Sequence, residues 1–184
     1  MSYRIREATP EDLTALEVLI ARSARELSRE DYSSEQVEGA LRGAFGVDTQ
    51  LIRDHTYFVI EEEGGIVACG GWSYRRTLFG SDQRAERDPA ELDPAVDAAR
   101  IRAFFVDPQH ARKGLGTLLL ETCEAAAARR GFARVELMAT LPGVKLYAAR
   151  GYEPVGRVSH EVAPGVAIEF VPMSKTLTVA QPRG

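Results

Sequence analysis

Between residues 101 and 131 the hydrophobic period of the chain changes across one short basic loop, and that change constrains the fold more than any other feature. Residues 101–106 are apolar-rich, with two phenylalanines and a valine, and are stopped by Asp107-Pro108, the pattern of a strand. Residues 115–130 place Leu115, Leu118, Leu119 and Cys123 at helical spacing ahead of a run of alanines, and Gly131 is the stop. A strand, a loop and a long helix in that order commit the chain to an α/β arrangement. The loop, Ala111-Arg112-Lys113-Gly114-Leu115-Gly116-Thr117, opens a helix N-terminus, where backbone N–H groups lack intrahelical partners and carry partial positive charge. Gly114 and Gly116 remove side chains from it, and Arg112 and Lys113 add charge, so the segment suits a phosphate or pyrophosphate. An ordinary strand-to-helix connection explains a Gly-x-Gly equally well. A P-loop is excluded, because no Gly-Lys-Ser/Thr follows a four-residue spacer, and a dinucleotide fingerprint fails for want of its third glycine.

The flanking sequence extends the same pattern. Residues 3–8 alternate as a first strand, and Thr9-Pro10-Glu11-Asp12 supplies a helix start for Leu13, Leu16, Leu19 and Ile20, running to about Leu27. Ser33 or Ser34 caps a second helix carrying Val37, Leu41 and Phe45, and a short turn runs through Leu51 and Ile52. Residues 56–63 and 66–76 form a hairpin about Gly64-Gly65. Residues 80–99 hold six acids, two arginines, Pro89 and Pro94, and read as a long polar acidic insertion. Residues 133–138 are a strand, 144–150 a short helix ended by Gly151, and two more strands flank Ala163-Pro164-Gly165. The expectation is a single domain over residues 1–178, with 179–184 as a tail.

Composition narrows the partners. Twenty-three Lys and Arg against 27 Asp and Glu leave a net charge of −4, which argues against a nucleic-acid binder. No apolar run reaches the ~20 residues needed to span a bilayer, and no secretory signal precedes Tyr3. Cys69 and Cys123 read as small core residues of a reduced, cytoplasmic protein. His55, His110 and His160 are widely spaced without paired ligands, so no metal is expected, and His110 reads as a solvated loop histidine.

Leu146-Tyr147-Ala148-Ala149-Arg150-Gly151-Tyr152, following the next strand, completes a recognisable order: strand, glycine loop, helix, strand, then Leu-Tyr-x-x-x-Gly-aromatic. This order resembles the GNAT superfamily of acetyl-CoA-dependent N-acyltransferases, over nearly the whole chain and most specifically over residues 101–152. The resemblance implies an α/β (α+β) fold: a mixed, mostly antiparallel central sheet of about seven strands, helices on both faces, splayed at the middle strands. It implies acetyl-CoA as cosubstrate, with the pyrophosphate wrapped by Arg112, Lys113, Gly114, Leu115, Gly116 and Thr117. The family motif begins with Arg or Gln where this chain has Ala111, so the loop is expected to act through backbone N–H groups, with Arg112 supplying charge. The backbone of Phe104, Phe105 and Val106 would pair with the pantetheine arm, and Thr140 stands where the family usually has Asn.

Tyr147 is then the expected general acid for the thiolate leaving group, since a phenol with a reference pKa near 10 stays protonated at neutral pH. Glu136 is the candidate general base on the strands, with water-mediated deprotonation by His55, Glu61 or Glu63 as the alternative. Trp72 and Tyr74 share one face of their strand and are candidates for lining the acceptor pocket, built with the first two helices and the final hairpin. The acidic insertion would then overhang that mouth and favour a cationic amine. The expected acceptor is a small-molecule or peptide amine, with no nucleic acid and no membrane involved, and a homodimer is an assembly such a fold allows. Two other functions share these features: transfer of a longer acyl group, and a non-catalytic acyl-CoA-binding or regulatory module.

Overall fold

Pro10 ends the approach from the first strand, β1 (Arg4–Glu7), by starting a single 3-10 turn, and the Thr9 N–H donates to Asp12 Oδ2 at 2.8 Å. The chain then runs directly into α1 (Leu13–Leu27), whose Leu16, Leu19, Ile20 and Ala24 are buried. Each such Leu or Ile contributes about 2 kcal/mol by leaving water. In this computed structural model residues 2–178 are described, so the tail expected at 179–184 lies outside the described residues. Ser33 caps α2 (Ser34–Ala40), and Asp48 caps α3 (Thr49–Arg53) by accepting from the Gln50 N–H at 3.0 Å. The second helix stops at Ala40, short of Leu41 and Phe45, and Phe45 is buried from the loop that follows.

β2 (Tyr57–Glu62) and β3 (Gly65–Ser73) form the expected hairpin, with its turn one residue earlier than Gly64-Gly65. Glu63 and Gly64 both take positive φ, 50° and 80°, as a tight two-residue turn requires, and a bulge between Ile60 and Glu61 takes up the offset. The remaining elements are β4 (Ala99–Val106), α4 (Leu115–Arg129), β5 (Arg134–Thr140), α5 (Val144–Ala149), β6 (Glu153–Pro154), β7 (Val158–Ala163) and β8 (Val166–Thr176). They build one eight-stranded sheet, in the order β1-β2-β3-β4-β5-β8-β6, with β7 also on β8. The strand beyond the seven expected is the two-residue β6. Every pairing is antiparallel except β4 with β5.

Helices cover both faces. One face packs α1, α2 and α3 against Val59, Cys69, Ile168 and Phe170, and the other packs α4 and α5 against Ala68, Ile101, Val135 and Leu137. The parallel pair is short: β4 and β5 pair only at Ala99 with Val135 and Arg100 with Glu136, then diverge. That divergence is the splay at the middle of the sheet.

Residues 80–99 are not a free overhang. The chain doubles back on the end of β3: Leu92 N–H donates to Tyr74 O, Arg76 N–H to Ala90 O and Thr77 N–H to Asp88 O. Leu92 is buried beside Trp72 and Tyr74, and Arg87 is bonded to buried Asp48. The segment is held because its apolar and cationic residues have partners, whatever its overall acidity.

Candidate active site

Where β4 and β5 part, a cavity of about 400 Å³ passes through the sheet. Leu146 and Tyr147 wall it on the α4–α5 face, and Phe45, Phe79 and Phe170 wall it on the α1 face. Between them lie residues 101–106 of β4 with Leu137, Met138 and Thr140 of β5. Beyond Arg100 the edge of β4 that faces β5 has no ladder partner, so its polar backbone groups face the cavity rather than a strand.

β4 is bent at this point. Gly71 pairs with Arg102 and Cys69 with Phe105, so Ala103 and Phe104 together oppose the single residue Gly70, and Ala103 takes φ 53°. This two-against-one arrangement is a β-bulge, which sharpens the local twist and re-aims the strand. Gly70 is needed opposite it: a Cβ there would stand 2.4 Å from the Phe104 ring. The Tyr57 hydroxyl fixes the bulge by donating to Ala103 O at 2.9 Å.

The glycine loop lies at the end of the same strand. Among the described helices, α2 and α3 are capped by side chains, whereas the 15-residue α4 has no side-chain cap and leaves its first N–H groups open. Arg112 and Gly114 take left-handed φ of 62° and 84°, and Gly116 lets α5 lie against the first turn, since a Cβ would stand 2.8 Å from Leu146 Cδ2. Arg112 and Lys113 are exposed and neither is paired with a carboxylate among the described residues. Ala111, Arg112 and Gly116 line the cavity. Lys113, Gly114 and Thr117 sit in or beside the loop outside that lining, and the Leu115 side chain is buried against Ile60 and Ala68.

The strand-to-helix connection is clamped from two sides. Arg22 of α1 donates to Asp107 Oδ2 at 3.0 Å, and Asp107 Oδ1 accepts from the Gln109 N–H at 2.8 Å. His110, expected in solvent, is instead half-buried: its Nε2 lies 2.5 Å from Glu62 Oε2 and its ring packs edge-on to Tyr3. The partner is 48 residues away in sequence, and only the hairpin brings it there.

Tyr147 is buried, with its ring against Phe104 and Tyr152 at 6.3 and 5.7 Å between centroids, and its hydroxyl bonds no described residue. Burial, with the Cys123 thiol nearby as a lesser cause, pushes its pKa well above the ordinary 10.0, so it stands as a neutral O–H donor. Thr140, the last residue of β5, lines the cavity beside Gly143.

Three groups of residues expected at the site lie outside the cavity lining. Glu136 is ion-paired with Arg100 outside the cavity lining, because the short parallel ladder sets those two residues side by side. Trp72 and Tyr74 do share a face, but α4 covers it: they pack with Phe132 and Leu92 in the core, and Arg130 lies over the Tyr74 ring at 3.8 Å. His55, Glu61 and Glu63 are also outside the lining, His55 beside Glu7 and Glu61 bonded to Arg6. The sequence reading built the acceptor pocket from residues 70–76, the first two helices and the final hairpin; of these, Ser23, Ala24 and Leu27 of α1 and Phe170 of β8 line the cavity, whereas residues 70–76 and α2 do not. It missed Phe45 and Phe79, whose loops carry no motif.

Comparison with known proteins agrees with this geometry. The acetyltransferase (GNAT) family matches residues 21–152. The fold is similar to a GCN5-related N-acetyltransferase from Rhodopseudomonas palustris, at 19% identity and TM-score 0.70, covering 96% of this chain and 97% of that one. It is similar to the PaiA N-acetyltransferase of Thermoplasma acidophilum in complex with coenzyme A, at 14% identity and TM-score 0.64, over 96% of this chain and 100% of that one. The ribosomal-protein-S18-alanine N-acetyltransferase of Escherichia coli is 16% identical with TM-score 0.62, over 99% and 98% of the two chains. With a glycine loop at an open helix end, a splayed sheet and a family match through both, the chain belongs to the GNAT acetyltransferase family and is an acyltransferase.

Proposed function

We propose that the protein moves an acetyl group from acetyl-CoA to a primary amine by direct attack, with Tyr147 as general acid. The observation that carries this reading is the single cavity joining the open end of α4 to Tyr147 beneath the unpaired edge of β4. The residues fit the cosubstrate: uncapped N–H groups and unpaired Arg112 and Lys113 suit a pyrophosphate, and the free β4 backbone suits the amides of a pantetheine arm. Bound there, acetyl-CoA supplies an activated thioester. The β4 backbone at Val106, on the edge turned away from β3, donates N–H to the carbonyl oxygen as negative charge develops on it. The amine nitrogen forms its bond to the carbonyl carbon, the C–S bond breaks, and Tyr147 gives its proton to the departing sulfur. The nitrogen's surplus proton leaves through solvent, since no Asp, Glu or His lines the cavity among the described residues, and a proton from solvent restores the Tyr147 phenol.

Calorimetric titration with acetyl-CoA, CoA and a longer acyl-CoA, followed by CoA release in the presence of amines, tests this. Micromolar acetyl-CoA binding with amine-dependent CoA release is the expected result. Binding without release under any amine would point to a non-catalytic acyl-CoA module, and tighter binding of the longer acyl-CoA to a different donor.

A further inference from the structure

The α1 side of the cavity has a chemistry of its own. Ala24 and Leu27 come from the last turns of α1, Phe45 from the loop before α3, Leu78 and Phe79 from the segment after β3, and Phe170 from β8. The aromatic rings are locked together: Phe79 and Phe45 lie 5.4 and 6.3 Å from Phe170 between centroids. The only polar side chains that α1 and the residue after it add are the neutral hydroxyls of Ser23 and Ser28, neither bonded to a described residue. Of the two cationic residues in the whole lining, Arg112 belongs to the glycine loop, and Arg102 is already held by Asp48, Thr77 O and Gly80 O. No carboxylate of residues 80–99 reaches the lining, and none comes from elsewhere among the described residues.

Resting on the acetyl-transfer reading, we infer that the acceptor is a small primary amine carried on an uncharged aromatic or branched aliphatic body. The reasoning is one of exclusion and match. A second ammonium, as in a polyamine, would lose its water in this chamber and meet no counter-charge. The carboxylate of a free amino acid would find Arg102 already satisfied. A peptide would leave backbone amides unmatched along apolar walls. An aromatic or branched hydrocarbon body, in contrast, gains from every wall, and the amine nitrogen can exchange hydrogen bonds with Ser23 or Ser28. The expectation that the acidic insertion selects a cationic acceptor is thereby reversed.

The test compares 2-phenylethylamine, spermidine, alanine and an alanyl peptide as acceptors at saturating acetyl-CoA, by initial rates of CoA release. Phenylethylamine is expected to exceed each of the others in kcat/KM by more than ~10-fold, given the cost of desolvating an uncompensated charge. In Leu27→Glu, at a position 39% exposed and so tolerant of a carboxylate, the order shifts toward spermidine by ~10-fold or more, while acetyl-CoA affinity measured by calorimetry stays unchanged. Preference of the native protein for spermidine, alanine or the peptide overturns the inference. So does acetyl-CoA binding with no transfer to phenylethylamine, which leaves the cofactor site standing. Failure to bind acetyl-CoA overturns the underlying reading as well.

Discussion

Replacing Asp48 by alanine removes one carboxylate from beneath two arginines. Asp48 is 2% exposed and Arg102 is 3% exposed. Arg102 Nη2 donates to Asp48 Oδ2 at 2.9 Å, Arg87 Nη2 bonds Oδ1, and the same Oδ1 accepts the Gln50 N–H that caps α3. Burial pulls the Arg102 pKa down and Asp48 opposes that pull, so without the carboxylate the guanidinium keeps only the carbonyls of Thr77 and Gly80. Breaking a buried pair by removing one partner costs about 3–5 kcal/mol, and the lost cap accounts for about 1 of it. In a chain of this size each kcal/mol moves Tm by roughly 2–4 °C, so Asp48→Ala lowers Tm by roughly 6–20 °C. Differential scanning calorimetry at pH 7 reads this directly. Thr77 and Gly80 bracket Leu78 and Phe79, so the variant also raises the KM of the acceptor while acetyl-CoA affinity holds. Asp48→Ala combined with Arg102→Met recovers part of the loss, because it removes the stranded charge as well. A Tm within about 2 °C of the native protein would falsify the assignment of Asp48 as the buried charge that compensates Arg102.

Tyr147→Phe removes one oxygen from a packed ring and lowers kcat by about 10²–10⁴-fold with acetyl-CoA affinity retained; native-like turnover would remove the general-acid role. Because burial raises the Tyr147 pKa, its protonated, donating form persists above pH 10. Native kcat/KM therefore shows no alkaline loss up to pH 10, and a fall beginning near pH 9 would contradict the assignment. Gly116→Val drives a side chain into Leu146, overpacking the contact by about 1–3 kcal/mol, and weakens acetyl-CoA binding in calorimetry while lowering Tm; unchanged binding would place the cofactor elsewhere. Glu136→Gln leaves kcat and its pH profile as they are, since that carboxylate is engaged by Arg100; loss of turnover restores it as a base.

Local chemistry made much of this fold legible. The proline and capping residues at Thr9–Asp12, the glycines at 131 and 151, and the change of period between 106 and 115 each act within a few residues. Gly114, Gly116 and Tyr147 stood out for the same reason, as parts of a contiguous pattern. What stayed hidden depends on distant partners. Alternation placed Trp72 with Tyr74 but could not say which face α4 would cover. The composition of residues 80–99 announces solvent, yet Leu92 finds the core and Arg87 finds Asp48 across 39 residues. The α1 side of the cavity is assembled from a helix end, two loops and a strand, each carrying one or two unremarkable apolar residues.

One cavity lined from both faces of the sheet shapes the order of events. The cavity lining includes exposed Arg112 of the glycine loop and exposed Leu27 of α1, and on the proposed reading donor and acceptor occupy these two parts of it together. No thiol is placed to hold the acyl group between visits: Cys69 and Cys123 are fully buried outside the lining, and burial pushes the Cys69 thiol up to about 12. On the proposed direct transfer, donor and acceptor meet as a ternary complex, and the expected double-reciprocal plots intersect; parallel plots would contradict it. On the same reading free CoA competes with acetyl-CoA and not with the amine.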